Sequence, residues 1–393
     1  MASDSNLLDK AVEISHLVGL SGIGGVQRMF LEYIELEINN RKSDKHTIYT
    51  IGRVDSQYKI PKKILNIYRF WNLLCLMIDI VSRNKVVHFY NNLTSFKVAL
   101  FLLILPTSKL IVHERGSAWN LSSKYGFILK FISWKADLIL VNSKATKNLL
   151  EKKFGISEDK IKVIYNGINT SIKTSKLLKN KVNDRVFILG FIGRLDTPKG
   201  AHVLIDAMHY LESESFKLVI AGNGPLENEL MKKADGLMNI EFIGRIDNPY
   251  SFLDSIDLLV VPSIREPFGN VCIEAGLCKT PVLASYIDGI PEIVEDNFSG
   301  ALIKPTQKIS ISQGFEGLPL PEFVVDPDSH KLIKPMQINP SELAERINLL
   351  RNNPKMLVVY TENLHNNIIS NFSIEKYTAR LNNIYLDVIK SVP

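Results

Sequence analysis

The chain has 393 residues, 46% of them apolar and 22% charged, so it is neither disordered, nor collagen-like, nor a small disulfide-stapled scaffold. At this length two domains are expected. The net charge of +6 hides an asymmetry, because up to Arg185 there are 29 Lys and Arg against 15 Asp and Glu, and beyond it 18 against 26.

Short apolar runs alternate with segments of helical period, the pattern of parallel sheets wrapped by helices. The opening MASDSNLLDK has two aspartates and no apolar run, which argues against a secretory signal. With only Cys75, Cys272 and Cys278 as thiols, a cytoplasmic protein is expected. In the first half, strands are predicted at Val12 to Leu17, Thr47 to Ile51, Val86 to Tyr90, Leu110 to His113, Leu138 to Val141 and Ile161 to Ile164. A helix between the first two carries Val26, Met29, Phe30, Tyr33 and Ile34 on one face. The apolar stretches Phe70 to Val81 and Val98 to Leu105 fall short of the roughly 18 to 20 residues of a membrane span and read as buried elements or surface-seeking patches. A Lys-, Ser- and Asn-rich segment from Thr170 to Asp184 reads as a linker between a domain of residues 1–184 and a second of 185–373. The second half has predicted strands at Val186 to Ile192, Lys217 to Ala221, Ile240 to Ile243, Leu258 to Val261 and Pro281 to Ala284. Residues 305–341, rich in Pro, Ser and Gly, interrupt the rhythm and read as a surface insertion, either a substrate-contacting flap or a loop without a part in the chemistry. A helix through Leu343, Ile347, Leu349 and Leu350 follows, and an amphipathic helix from Ile374 to Ile389 closes the chain.

Ligands of doubly wound sheets bind at the carboxyl ends of the strands, so the strand-to-helix loops carry the chemical argument. Gly22-Ile-Gly24-Gly25 precedes the first helix, where backbone N–H groups favour an anion, although a tight turn reads equally well. It lacks the third glycine of a dinucleotide fingerprint, as does Gly222-Asn-Gly224-Pro225, which disfavours a dehydrogenase. Gly193-Arg194-Leu-Asp-Thr-Pro-Lys199-Gly200 sets two cations just beyond a strand at a helix start, an arrangement that reads as a clamp for a diphosphate through charge-assisted bonds in preference to a solvated pair. Glu266 falls in a loop and Glu274 about one turn into a helix starting near Asn270, with Gly269 and Asn270 offering N–H groups between them. One Glu then binds ribose and the other sugar hydroxyls, or the two are catalytic carboxylates as in glycosidases. His113 ends a first-domain strand and is aimed at the cleft. A lone histidine is more often structural, and only this position raises it. Asp326-Pro-Asp328 resembles a metal-binding Asp-x-Asp but sits in the Pro-rich insertion and reads as a turn.

Taken in order, Gly24-Gly25-Val26, His113, Asn166-Gly167-Ile168, Gly193-Arg194 with Lys199-Gly200, Gly222-x-Gly224-Pro225 and the Glu-x7-Glu pair Glu266 and Glu274 resemble the family-four glycosyltransferases of the GT-B fold. The resemblance implies an α/β protein of two Rossmann-like, doubly wound parallel-sheet domains facing a central cleft, with the last helix, 374–393, crossing back to the first domain. It implies that Arg194 and Lys199 neutralise a donor diphosphate approached by the Gly25 N–H. By the same resemblance Glu274 holds the ribose, and Glu266 with Phe268, Gly269, Asn270 and Val271 the sugar hydroxyls. His113 meets the sugar from the acceptor side, while Arg245 and Ile246 lie where the family's base-contacting loop falls. The implied reaction retains anomeric configuration by front-face attack, without metal or cofactor, on a nucleotide-diphosphate sugar with UDP or GDP as the favoured carriers.

The basic first half reads equally well as a solvated Lys-rich face or as a surface for anionic lipid headgroups; on the second reading the expected enzyme builds a surface polysaccharide such as lipopolysaccharide O-antigen, or a glycolipid, on a lipid-linked acceptor at the inner membrane face. Nucleic acid is a poorer partner, because the lysines are scattered and no zinc-finger, homeodomain or RNA-recognition signature occurs. A soluble acceptor, a nucleotide-sugar epimerase and a non-catalytic sugar-nucleotide sensor are the competing readings.

Overall fold

The computed structural model describes residues 12–22, 24–40, 45–56, 60, 62–172, 186–309 and 320–390. The chain forms two units, one of Met1–Asn169 with Ser373–Pro393 and the other of Thr170–Phe372. Of the expected linker only Thr170, Ser171 and Ile172 are described, and the stretch 310–319 of the expected insertion also lies outside the described residues.

In the first unit, β1 (Glu13–Val18), β2 (His46–Thr50), β3 (Ile64–Asn66), β4 (Lys85–Tyr90), β5 (Leu110–Glu114), β6 (Leu138–Val141) and β7 (Ile161–Val163) make one parallel sheet in the order β3-β2-β1-β4-β5-β6-β7. Their near-continuous Val, Ile, Leu and Phe runs suit strands covered on both faces. The helices are α1 (Gly25–Asn39), α2 (Phe70–Val81), α3 (Phe96–Leu103), α4 (Gly126–Lys135) and α5 (Lys144–Phe154). The chain steps outward from β1 to β3 and then returns to β4 on the far side of β1. Right-handed crossovers therefore place α1 on one face and α2 to α5 on the other, and the β1/β4 junction is the switch point.

The second unit repeats the plan with β8 (Phe187–Ile192), α6 (Ala201–Met208), β9 (Phe216–Ala221), α7 (Glu227–Lys233), β10 (Ile240–Gly244), α8 (Pro249–Ser255), β11 (Leu258–Val261), α9 (Asn270–Leu277), β12 (Val282–Ser285) and β13 (Ala301–Ile303). The order β10-β9-β8-β11-β12-β13 puts its switch point between β8 and β11. Every predicted strand is present with its ends displaced by at most one residue.

Three features depart from the sequence reading. Strands β3 and β13 have three residues each, too few for a period to show. The region read as a patternless insertion contains a hairpin, β14 (Val324–Val325) with β15 (Leu332–Ile333), paired antiparallel and turned by Asp326-Pro-Asp328. There the Asp326 carboxylate accepts from the backbone N–H groups of Asp328 and Ser329. Both β14 valines are buried, while Asp328 to Lys331 and Ile333 are exposed, so β14 anchors to the second unit a hairpin that otherwise lies at the surface. Finally, α10 (Pro340–Arg351) is followed by an unpredicted α11 (Pro354–Asn371), whose Asn-rich sequence hides its buried face of Leu357, Tyr360, Leu364 and Ile368.

The last helix, α12 (Ile374–Lys390), belongs to the first unit. It buries Ile374, Tyr377, Leu381, Ile384, Tyr385 and Val388, a helical-period stripe, against the α1 side chains Met29, Phe30, Tyr33 and Ile34.

Candidate active site

The second unit's switch point brings together the loops that leave β8 and β11. They are tied by backbone, since the Ile264 and Arg265 N–H groups both donate to the Pro198 carbonyl, at 2.8 and 3.2 Å. Lys199 ends a 3-10 turn (Thr197–Lys199), and its ammonium donates to Glu266 Oε2 at 2.6 Å. Arg194 is exposed and its Nε lies 3.5 Å from Asp196 Oδ2. Burial pushes the Asp196 carboxyl up, and Lys199, Arg194 and Arg265 act against that rise. Arg265 is a third cation here that the sequence reading passed over. It is buried, and its Nε has no hydrogen-bond partner.

Gly269, at φ 107°, is the N-cap of α9, and no side chain caps that helix. Asn270 and Val271 form its first turn, Glu274 sits half-buried one turn in, and Phe268 is buried against Phe372. The strand-loop-helix geometry anticipated for Glu266 and Glu274 is thus present. A second residue that sequence reading missed supports it from below. Asp288, buried, accepts from the Glu266 N–H at 2.9 Å through one oxygen and from the Val325 N–H at 2.7 Å through the other. The hairpin of β14 and β15 is thereby linked to the Glu266 loop. Burial pushes the Asp288 carboxyl up to about 8, against the pull of those two N–H groups and Arg265.

Gly222 and Gly224 have a packing role of their own. A Cβ on Gly222, at φ 138°, would lie 1.8 Å from the Gly193 carbonyl oxygen, and one on Gly224 would lie 2.3 Å from that of Leu195. Only glycine lets the loop after β9 close on the loop bearing Gly193 and Arg194. Arg245, exposed, and Ile246, half-buried, follow the edge strand β10, on the opposite side of β9 from β8.

In the first unit, Gly24 is the N-cap of α1 and Gly25 its first residue, both exposed, with no side-chain cap. His113 is fully enclosed, whereas the sequence reading aimed it at an open wall. Its ring stacks on His88 at 5.4 Å, and neither ring nitrogen has a hydrogen-bond partner. Burial, then Arg115 and His88, hold it well below the ordinary histidine value, so it is neutral. Arg115 is buried beside it and donates to Asn166 Oδ1 at 2.5 Å and to the Met29 sulfur. The Asn166-Gly167-Ile168 motif has a mechanical explanation as well. Ile168 accepts from the Ile374 N–H at 2.9 Å, and a Cβ on Gly167 would fall 2.8 Å from Tyr377 Cβ. The motif is the seat of α12.

Among the described residues no three His, Cys, Asp or Glu side chains converge as a metal cage. Asp328 is engaged by Lys304 at 2.6 Å and Tyr286 at 2.5 Å.

The model of Glycosyltransferase Family 4 matches residues 40–172, and that of Glycosyl transferases group 1 matches residues 173–320. The chain belongs to the family-four glycosyltransferases. Within that family it is 33% identical over 259 residues to an uncharacterized glycosyltransferase of Methanocaldococcus jannaschii, covering 60% of this chain and 66% of that one. It is 32% identical over 215 residues to the N-acetylgalactosamine-N,N'-diacetylbacillosaminyl-diphospho-undecaprenol 4-alpha-N-acetylgalactosaminyltransferase of Campylobacter jejuni, covering 53% of this chain and 58% of that one. The chain therefore spans less than two thirds of either relative's length. The crystal structure of Anabaena Alr3699/HepE in complex with UDP and glucose superimposes on this family-four chain with a TM-score of 0.72, over 97% of this chain and 100% of that one, at 20% identity. At that identity the likeness establishes the GT-B fold.

Proposed function

We propose that this chain is a retaining glycosyltransferase that moves a sugar from a nucleotide-diphosphate donor, UDP or GDP, to a hydroxyl of a lipid-linked saccharide acceptor in surface polysaccharide or glycolipid synthesis. The observation that supports it most is the cluster of Lys199, Arg194 and Arg265 around Asp196, with Lys199 also bonded to Glu266, at the second unit's switch point, where doubly wound sheets bind their ligands. A diphosphate offers Lys199 a more highly charged partner than Glu266, and accepting it frees Glu266 for a sugar hydroxyl. Arg194 and Lys199 then stabilise the charge that develops on the leaving diphosphate. The departing oxygen takes the acceptor's proton as the new bond forms on the same face, so the step needs no enzymic nucleophile and no metal. Glu274 is assigned to the ribose, Phe268, Gly269, Asn270 and Val271 to the sugar, and Arg245 and Ile246 to the base. In the first unit the Gly25 N–H is the group assigned to the diphosphate, while His113, enclosed and stacked on His88, is given no contact with the sugar. The lipid-linked acceptor draws support from the basic first half of the chain and from the diphospho-undecaprenol in the Campylobacter relative's name, and it places the enzyme at a membrane face.

The test is a thermal-shift titration with UDP, GDP, ADP and their sugar conjugates without added metal. A nucleotide present at 100 times its dissociation constant stabilises the fold by about 2.7 kcal/mol. One nucleotide is expected to shift the protein, the shift to vanish in Arg194→Ala, and turnover in Lys199→Ala to drop on the order of 100-fold. A folded protein that none of them shifts overturns the donor site.

A further inference from the structure

Helices that pack on a sheet ordinarily show a polar face to water, whereas α2 and α3 show almost none and α4 exposes Phe127 and Trp134 beside Lys130. In α2 the polar residues are Asn72 and Asp79, and in α3 only Lys97. Of the 23 large apolar side chains left exposed among the described residues, 13 lie between Tyr68 and Trp134. Phe70 and Trp71 of α2, Phe96 and Leu103 of α3, and Phe127 and Trp134 of α4 are the main ones, all on the face of the sheet that the crossovers give to these helices. α3 packs directly against α4, so those two share one apolar surface, and α2 lies over β3 and β4 of the same sheet. Single exposed apolar residues are commonplace, whereas a concentration of this kind marks an interaction surface.

The charges on the same stretch indicate what covers it. Residues 62–135 hold 11 Lys and Arg and only two acids, Asp79 and Glu114, and both acids are buried. Asp79 accepts from Ser15, Tyr49 and Lys85, and Glu114 from Gly116, Ser117 and Ala118. No acidic side chain therefore reaches the surface of this stretch, while Lys63, Arg69, Arg83, Lys97, Lys124 and Lys130 do. A second copy of the same face would set cation against cation. Aromatic and aliphatic side chains interleaved with lysines and free of acids suit an anionic bilayer, whose headgroups take the ammonium groups while the rings enter the interface. No helix among the described residues is long and apolar enough to cross a membrane, so the contact is a surface one.

We infer that α2, α3 and α4 form a docking face for anionic lipid bilayers, with Phe70, Trp71, Phe127 and Trp134 entering the interface and Lys97, Lys124 and Lys130 contacting the headgroups. The inference rests on the membrane-facing part of the function proposed above and gives it a surface. It is read without turnover, so its failure leaves the donor site untouched, and loss of nucleotide binding leaves it untouched in turn.

The chain reports on its own docking, because two of its three tryptophans, Trp71 (73% exposed) and Trp134 (69%), lie on the face while Trp119 (1%) is buried. The full chain is mixed with vesicles of phosphatidylcholine alone or with about one third phosphatidylglycerol, and sedimentation and tryptophan emission are followed. Binding to the anionic vesicles, with a blue shift that Trp71→Phe and Trp134→Phe each diminish, is expected. Each of Lys97→Gln, Lys124→Gln and Lys130→Gln is expected to weaken binding about fivefold. Phe70→Ser with Trp71→Ser should weaken it tenfold or more while leaving the nucleotide-induced shift in melting temperature unchanged, which also shows that the variant is folded. Equal binding to both vesicle types, no binding to either, or binding that survives all these variants overturns the inference. So does a concentration-dependent dimer that Phe70→Ser with Trp71→Ser disperses, which would assign the face to a second copy.

Discussion

Lys199 and Glu266 illustrate how a site is prepared before its ligand arrives. The ammonium is fixed 2.6 Å from a nearly buried carboxylate, so its position is set in advance and little ordering remains for the ligand to impose. Beneath them Asp288 adds a property that pH reveals. Its carboxyl is raised by burial from 3.8 to about 8, so the folded chain keeps a proton that the unfolded chain has released. The stability contributed by that proton is complete below pH 3.8 and is lost as pH rises through about 8. Asp288→Asn carries no titrating group, and its urea midpoint is expected to lose most of the decline that the parent shows between pH 5 and 9. An unchanged slope would mean that the proton resides elsewhere. Arg194, Lys199, Glu266 and Glu274 were legible in the sequence because spacing from a strand end locates them. Asp288 and Arg265 were not, because their significance comes from a hairpin and a neighbouring loop that fold back on them, and neither contact has a local period.

The short α12 seat shows the same limit for elements. The amphipathic stripe from Ile374 to Val388 is plain in the sequence, but its destination is set by Gly167, where the backbone of Ile374 and the Cβ of Tyr377 come within 3 Å of an added methyl. Gly167→Ala has no flexible side chain to push aside and is expected to destabilise the first unit by about 1–3 kcal/mol, read as a lower denaturant midpoint. A midpoint equal to the parent's would show that α12 can shift without loss. The hairpin of β14 and β15 was hidden for a different reason. Two-residue strands between prolines carry no alternation, and although valine favours strands, burial of the pair and the bond from the Val325 N–H to the Asp288 carboxyl fix it here. The greasy runs at α2 and α3 were ambiguous between core and surface, and they are both, since Leu76, Ile80, Val98 and Leu102 face the sheet while their neighbours face solvent.

For the whole molecule, the twofold rhythm of strand and helix was enough to read two parallel sheets, because each strand is short, apolar and bounded by turns. What the rhythm could not convey is where the chain's last turns of helix belong. The first unit encloses the second in sequence, being made of residues up to Asn169 and again from Ser373. Its core is shared by α1 and α12, with Tyr385 donating to or accepting from His88 at 2.7 Å across 297 residues of chain. Domains usually finish folding in the order in which they emerge from the ribosome. Here that order is inverted, because residues 170–372 can close their core while the earlier-made residues 12–169 still await the helix that completes theirs. A chain stopped at Phe372 is expected to keep slow amide exchange in β8 to β13 and to lose it in β1 and β4, and protection of both sheets would show that the first unit manages without its final piece. During synthesis the half carrying the apolar helices thus closes its core only after residues 170–372 have been made.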